Sequence, residues 1–221
     1  MDNPVISQQF LEEIKNQSPE IIKVEGIKIK TCKNVFPPRS NFSESSEKLH
    51  EVFGNLKGAR VLDMGTGTGI QAIQAVNNGA QSVIAVDINP AAIACAKENV
   101  TLNNVADKVW VRESDLFSSL SGEKFDLIIA NLPLADFPIE GVVESALYDP
   151  EYKLHKRFFK EAGNYLNPGG RIIMTHINFK GERDFEEFEA ILNEFGYKPE
   201  NYIQIDSLGY LWRMYRIKLN N

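Results

Sequence analysis

The chain has 221 residues, 43% of them hydrophobic, and 24 Lys and Arg against 30 Asp and Glu, for a formal charge of −6. Its length suits one globular domain with an appendage, and no apolar run approaches the roughly 18 residues that a membrane span needs. The first ten residues lack a basic-then-apolar leader pattern, and the acidic balance repels nucleic acid at long range.

In chain order, 7–16 reads as a short amphipathic helix, and 21–24 with 27–31 flank Glu25-Gly26 as a small hairpin. Pro37 and Pro38 hold the loop 36–40 extended, and 41–53 reads as a helix leading into the main fold. We therefore expect 1–58 to be a helix and hairpin extension acting as a lid, with 59–221 as the main domain. The extension carries eight acidic and eight basic side chains, so the negative excess lies beyond it. Cys32 and Cys95, 63 positions apart, and the histidines at 50, 155 and 176 suggest neither a disulfide framework nor a metal cluster. A reducing cytoplasm is the expected setting.

From Arg60 onward, β-branched runs alternate with helical stretches. Strands are expected at 60–64, 82–87, 108–112, 125–130, 171–176, 202–206 and 211–218, and helices at 69–77, 90–102, 151–165 and 182–195. Asn89 can cap the second helix with Pro90 in its first turn, Gly196 closes the fourth, and Asn167-Pro168-Gly169-Gly170 makes a turn into the fifth strand. The nearly continuous apolar run at 125–130 suits a central strand covered on both faces, so the fold class is α/β, a doubly wound, mostly parallel seven-stranded sheet. The link at 206–209 is too short for a crossover helix, which makes the last strand antiparallel.

The sharpest motif is Asp63-Met64-Gly65-Thr66-Gly67-Thr68-Gly69, a strand that ends on a carboxylate and runs through three alternating glycines into a helix. Glycines allow positive φ and close approach of a ligand to the backbone. Gly67 to Ala72 also fits G-x-G-x-x-A with Asp87 20 residues after Gly67, so the glycines alone admit a dinucleotide and hence an NAD(P)-dependent oxidoreductase. Asp63 favours another ligand. A carboxylate is poorly placed beside a pyrophosphate but well placed for the ammonium and sulfonium of S-adenosylmethionine; a turn cap is its plainer role. Asp87 can accept from both ribose hydroxyls, or serve simply as a helix N-terminal charge. Asp115 can accept from an adenine amino group, or be an ordinary surface carboxylate. Asn131-Leu132-Pro133-Leu134 sits at the carboxyl end of the fourth strand, where an amide oxygen and the next carbonyl could orient an N–H pair; a plain strand exit is the alternative.

Together these segments, over residues 36–218, resemble the class I S-adenosylmethionine-dependent methyltransferases. Pro38-Arg39-Ser40, the glycine turn and the Asn-containing strand end are similar to the small methyltransferase domain group, which includes protein-glutamine N-methyltransferases and ribosomal-protein methyltransferases. That group usually carries Asn-Pro-Pro-aromatic, and here Leu132 and Leu134 replace the first proline and the aromatic residue. The resemblance implies a Rossmann-like fold with S-adenosyl-L-methionine as cofactor. Asp63, Gly65, Thr66, Gly67 and Gly69 would hold its methionine part, Asp87 the ribose, Ile88 the adenine face, and Asp115 with Leu116 the adenine edge. Asn131 would be the catalytic residue, also bordering the cofactor and orienting the acceptor. The implied reaction is in-line N-methylation of a protein side chain or a small amine or amide; a methyltransferase-like binding protein without catalysis is the remaining alternative.

Other polar and aromatic residues read more plainly. His176 ends the fifth strand and reads as structural before it reads as a base, while His155, beside Lys153, Lys156 and Arg157, reads as part of a solvated face. Asp136 and Glu140 could meet a cationic acceptor, and Phe36, Phe42 and Phe137 could line its pocket or pack beneath the lid. Tyr210, Trp212 and Tyr215 read as one core-facing side of the last strand.

Overall fold

The computed structural model describes residues 12, 14–38, 46–134, 147–179, 181–207 and 209–220. A small hairpin, β1 (Ile21–Val24) and β2 (Ile27–Lys30), precedes the main sheet. Residues 46–48 are helical and lead into a 3-10 turn at Leu49–Val52. Then follow β3 (Arg60–Met64), α1 (Ile70–Asn77), β4 (Ser82–Asp87), α2 (Pro90–Leu102), β5 (Val109–Glu113), β6 (Phe125–Ala130), α3 (Lys153–Ala162), β7 (Leu166–Ile177), α4 (Arg183–Glu194), β8 (Tyr197–Ser207) and β9 (Tyr210–Leu219). Of the expected helix at 7–16, residues 12 and 14–16 are helical. The other positions lie outside the described residues, as do Arg39, Ser40, Phe42, Asp136, Phe137 and Glu140.

The seven-stranded sheet has the order β5-β4-β3-β6-β7-β9-β8. All pairings are parallel from β5 through β7, and β9 runs antiparallel to both its neighbours. Alternate residues of the central strands bury on opposite faces. Leu62, Val86, Ile128 and Met174 pack with Phe158 and Phe188 of α3 and α4. Val61, Ala85, Ile129 and Ile173 pack with Ile70, Ile73 and Val100 of α1 and α2, and with Ile29 and Phe53 of the N-terminal segment. Two covered faces explain why these strands read as continuous apolar runs.

Hydrogen bonds from α2 complete the edge of β2. Asn99, fully buried, accepts from the Lys30 N–H at 2.7 Å and donates to the carbonyls of Lys30 and Thr68, each at 2.9 Å, while Asn103 donates to Lys28 O. One asparagine thus ties the hairpin to the glycine turn.

Four expectations need correction. Cys32 and Cys95 form a disulfide, because docking of the β2 exit on α2 brings their Cα atoms to 6.0 Å, within bridging range. The segment Asn167-Pro168-Gly169-Gly170 is not a turn outside the strand but part of β7, which pairs Leu166 with Phe125 across a register shift. His155 is fully buried rather than solvated, since helical periodicity places it with Phe158, Phe159 and Ala162. Tyr215 falls out of the strand alternation: it packs on Phe188 at 5.1 Å between ring centroids, while Met214 fills the opposite face.

Candidate active site

The sheet reverses its winding direction between β3 and β6, which lie side by side with Asp63 opposite Ile129 and Met64 opposite Ala130. Ligands of open α/β sheets bind at the carboxyl ends of strands at such a switch point. The glycine turn leaves β3 there and Asn131 leaves β6, so the topology brings both motifs to the same end of the sheet. Asp87 ends β4 beside them, and Asp115 follows β5.

Gly65, Gly67 and Gly69 all have positive φ, at 72°, 54° and 84°. The last two serve different ends. A Cβ on Gly69 would lie 3.3 Å from Cα and Cβ of Ala96, so this glycine lets α1 and α2 meet closely. A Cβ on Gly67 would meet nothing within 4 Å, which leaves open space over the turn.

Two carboxylates accept from donors in and beside this turn. Asp63, 1% exposed, accepts from the Thr66 hydroxyl at 2.6 Å and from the Ala72 N–H at 3.1 Å. Asp87 accepts from Gly67 N–H and Asn89 N–H, both at 2.9 Å. Burial pushes the Asp63 carboxyl up to about 7, against those hydrogen bonds and aided by the charge of Asp87. Burial also raises Asp87, with its three backbone N–H bonds opposing. The Gly67 N–H, already given to Asp87, is not free for a pyrophosphate, and a buried carboxyl beside a half-buried one favours a cationic ligand. The ammonium and sulfonium of S-adenosylmethionine answer that need, and the ribose hydroxyls can donate to Asp87.

Ile88, 63% exposed, is a large apolar side chain beside Asp87 with no cover of its own. Asp115 is exposed and paired with Arg157 at 2.9 Å, a partner that sequence reasoning did not foresee. Leu116 is buried at φ 47°, in the left-handed region.

At the other side of the crevice, Asn131 Nδ2 donates to the Ser46 hydroxyl at 3.2 Å. Asn131 Oδ1 is buried without a hydrogen-bond partner among the described residues. Ser46 is buried, and its carbonyl accepts from Gln71 Nε2 of α1 at 2.7 Å; Gln74 Nε2 donates to Glu47 O at 3.0 Å. None of Ser46, Gln71 or Gln74 was singled out from the sequence. The available signal was the pair of glutamines three apart within 70–76, a helical stretch that is otherwise apolar. Leu132, which replaces a family proline, is buried against the glycine turn, its Cδ2 3.8 Å from where a Gly65 Cβ would stand.

His155 and His176 lie deeper. Asp149 accepts from the N–H groups of Leu154 and His155 and meets His155 Nδ1 at 2.7 Å. Burial alone would raise Asp149, but the bonds and charge from His155 and the two N–H groups bring it below its usual value. His176 is fully buried and stacks on Phe188 at 4.5 Å, and burial holds its pKa well below the ordinary range. It is therefore a buried, neutral imidazole, which agrees with reading it as structural before reading it as a base.

Comparison with known proteins agrees with this geometry. Residues 26–198 match the family described as methyltransferase small domain. Over 170 residues the chain is 36% identical to a Methanocaldococcus jannaschii protein provisionally assigned as a protein N5-glutamine methyltransferase, covering 74% of this chain and 83% of that one. It is 38% identical over 141 residues to the ribosomal protein L11 methyltransferase of Lactobacillus johnsonii, covering 62% of this chain but only 38% of that longer relative. Among solved structures, a tRNA methyltransferase of Methanocaldococcus jannaschii superposes with a TM-score of 0.68 at 23% identity, over 93% of this chain and 58% of that one. That last likeness is one of fold.

Proposed function

The chain belongs to the methyltransferase small domain family and is an S-adenosylmethionine-dependent methyltransferase, and from that premise we propose that its acceptor is a side-chain nitrogen of another protein, a glutamine amide. The observation that carries this reading is Oδ1 of Asn131, buried at the switch point without a hydrogen-bond partner among the described residues. A buried acceptor left without a donor costs about 1–3 kcal/mol, which an N–H of the substrate would recover.

In this reading Asp63 faces the cofactor ammonium, and Gly65, Thr66, Gly67 and Gly69 admit its methionine part. Asp87 takes the ribose hydroxyls, Ile88 covers the adenine face, and Asp115 with Leu116 borders the adenine edge. When bound, the cofactor supplies a methyl group already activated on a sulfonium. The chain's part is then alignment and exclusion of water. Asn131 Oδ1 and the Leu132 carbonyl each accept one N–H of the acceptor, which turns the nitrogen lone pair toward the crevice. The proton shed afterwards passes to water, and His176 takes no part.

The segment 1–58 serves as a cover for the crevice of 59–221, a role supported by the contacts of Ser46 and Glu47 with α1 and β6. No described helix is long and apolar enough to cross a membrane. Action on a protein acceptor fits the cytoplasm, where the Cys32–Cys95 bond would be unusual. A second acceptor, a lysine amine, is favoured by Leu134, which offers no aromatic face to a planar amide.

The test supplies the enzyme and radiolabelled S-adenosylmethionine to separate protein and tRNA fractions. Label in protein that acid hydrolysis releases as methylamine marks a methylated side-chain amide, the class to which glutamine belongs, because hydrolysis cleaves the amide. Label retained on lysine would replace the glutamine assignment with the amine, and label in the tRNA alone would overturn the protein acceptor altogether.

A further inference from the structure

We propose that Ser46 is a positioning residue for Asn131, and that the N-terminal segment therefore contributes directly to the reaction centre; this inference rests on the role given above to Asn131. An asparagine at a strand end can turn about χ2, and the two faces of its amide offer opposite chemistry, two donors or one oxygen acceptor. Only the orientation with oxygen toward the crevice can receive an acceptor N–H. Ser46 Oγ accepts from Asn131 Nδ2 at 3.2 Å, and in that orientation Oδ1 is without a hydrogen-bond partner among the described residues.

Ser46 is itself held. Its carbonyl accepts from Gln71 at 2.7 Å, and the next carbonyl, Glu47 O, accepts from Gln74 at 3.0 Å. Both glutamines stand on α1, which is capped by Gly69 and whose third residue, Ala72, is bonded through its N–H to Asp63. A chain of short polar contacts thus runs from Asp63 through α1 and Ser46 to Asn131. The two motifs of the crevice are held in one frame by a residue 85 positions from Asn131. The same contacts give the two glutamines a purpose on a helix that would otherwise be apolar.

The experiment compares Ser46→Ala and Ser46→Thr in the full chain, with Asn131→Ala alone and combined with Ser46→Ala. Initial rates of methyl transfer to the labelled protein fraction are read at saturating S-adenosylmethionine, S-adenosylhomocysteine affinity by calorimetry, and thermal midpoints by scanning calorimetry. Loss of one orienting hydrogen bond predicts a rate lowered about tenfold in Ser46→Ala. Ser46→Thr, which keeps the hydroxyl, should restore the rate, and affinity for S-adenosylhomocysteine should stay within about twofold in both. The double variant should be no slower than Asn131→Ala, because Ser46 acts only through the Asn131 amide. Wild-type rates in Ser46→Ala overturn the inference, and so does a loss that Ser46→Thr shares together with a fallen thermal midpoint. Wild-type rates in Asn131→Ala instead overturn the role of Asn131, and the inference with it.

Discussion

Asp63 and Thr66 are joined by a 2.6 Å hydrogen bond inside the glycine turn, with the carboxylate almost wholly shielded from water. Burial lifts this carboxyl from 3.8 to about 7. Its contribution to stability is therefore complete below about pH 4 and is lost as pH rises through about 7. A cofactor ammonium favours the ionised form, so binding should release nearly one proton at pH 6 and almost none at pH 8. Calorimetric titration of S-adenosylhomocysteine in buffers of different ionisation enthalpy measures that number directly. Asp63→Asn should raise the thermal midpoint at pH 8 by several degrees while abolishing detectable binding; a variant that still binds would remove Asp63 from the site.

Gly67 and Gly69 should separate affinity from stability. Both have positive φ, which costs an alanine about 1–2 kcal/mol. Gly69→Ala adds overlap with Ala96 at 3.3 Å, for a total of about 2–4 kcal/mol and a thermal midpoint lowered by about 5–10 °C. Gly67→Ala meets no protein atom, so it should cost only the roughly 1–2 kcal/mol of its φ in stability and weaken S-adenosylhomocysteine binding besides. Equal effects of the two variants on both readouts would contradict the distinction.

The central sheet and the cofactor motif were legible because local pattern and environment agree there. Strands buried on both faces are apolar throughout, and the glycine turn needs its residue types at fixed offsets. The long outer strands were underestimated at their ends. β8 begins at Tyr197 with Lys198 and Pro199, and its exposed residues give no apolar run to mark it. What sequence could not reveal depends on contacts distant along the chain: Ser46 with Asn131, Asp115 with Arg157, and Cys32 with Cys95. His155 is different, since its burial was encoded in the spacing to Phe158, Phe159 and Ala162 and was masked by the cations around it.

Arg157 offers a test of the adenine-edge assignment. Its guanidinium holds Asp115 at 2.9 Å, and both side chains are about half exposed, so the pair adds little stability. If Asp115 accepts from the adenine amino group, Arg157 competes for it. Arg157→Ala should then leave the thermal midpoint nearly unchanged and tighten S-adenosylhomocysteine binding about two- to fivefold. Weaker binding in the variant would mean that Arg157 supports the ligand instead of competing for Asp115.

The Cys32–Cys95 bond closes a loop spanning 63 positions and fastens the hairpin exit to α2. A crosslink over such a span stabilises by about 2–4 kcal/mol, chiefly by restricting the unfolded chain. Reduction, or Cys32→Ser, should lower the thermal midpoint by about 5–10 °C. The hairpin should remain docked afterwards, because Asn99 and Asn103 still bond the carbonyls of Lys30 and Lys28. The reduced protein should accordingly unfold in one transition and keep its S-adenosylhomocysteine affinity. Scanning calorimetry with and without dithiothreitol, alongside mass-spectrometric counting of free thiols, decides the matter. Two free thiols in the unreduced protein, or a midpoint indifferent to reductant, would show that the hydrogen bonds from α2 hold the hairpin without the crosslink.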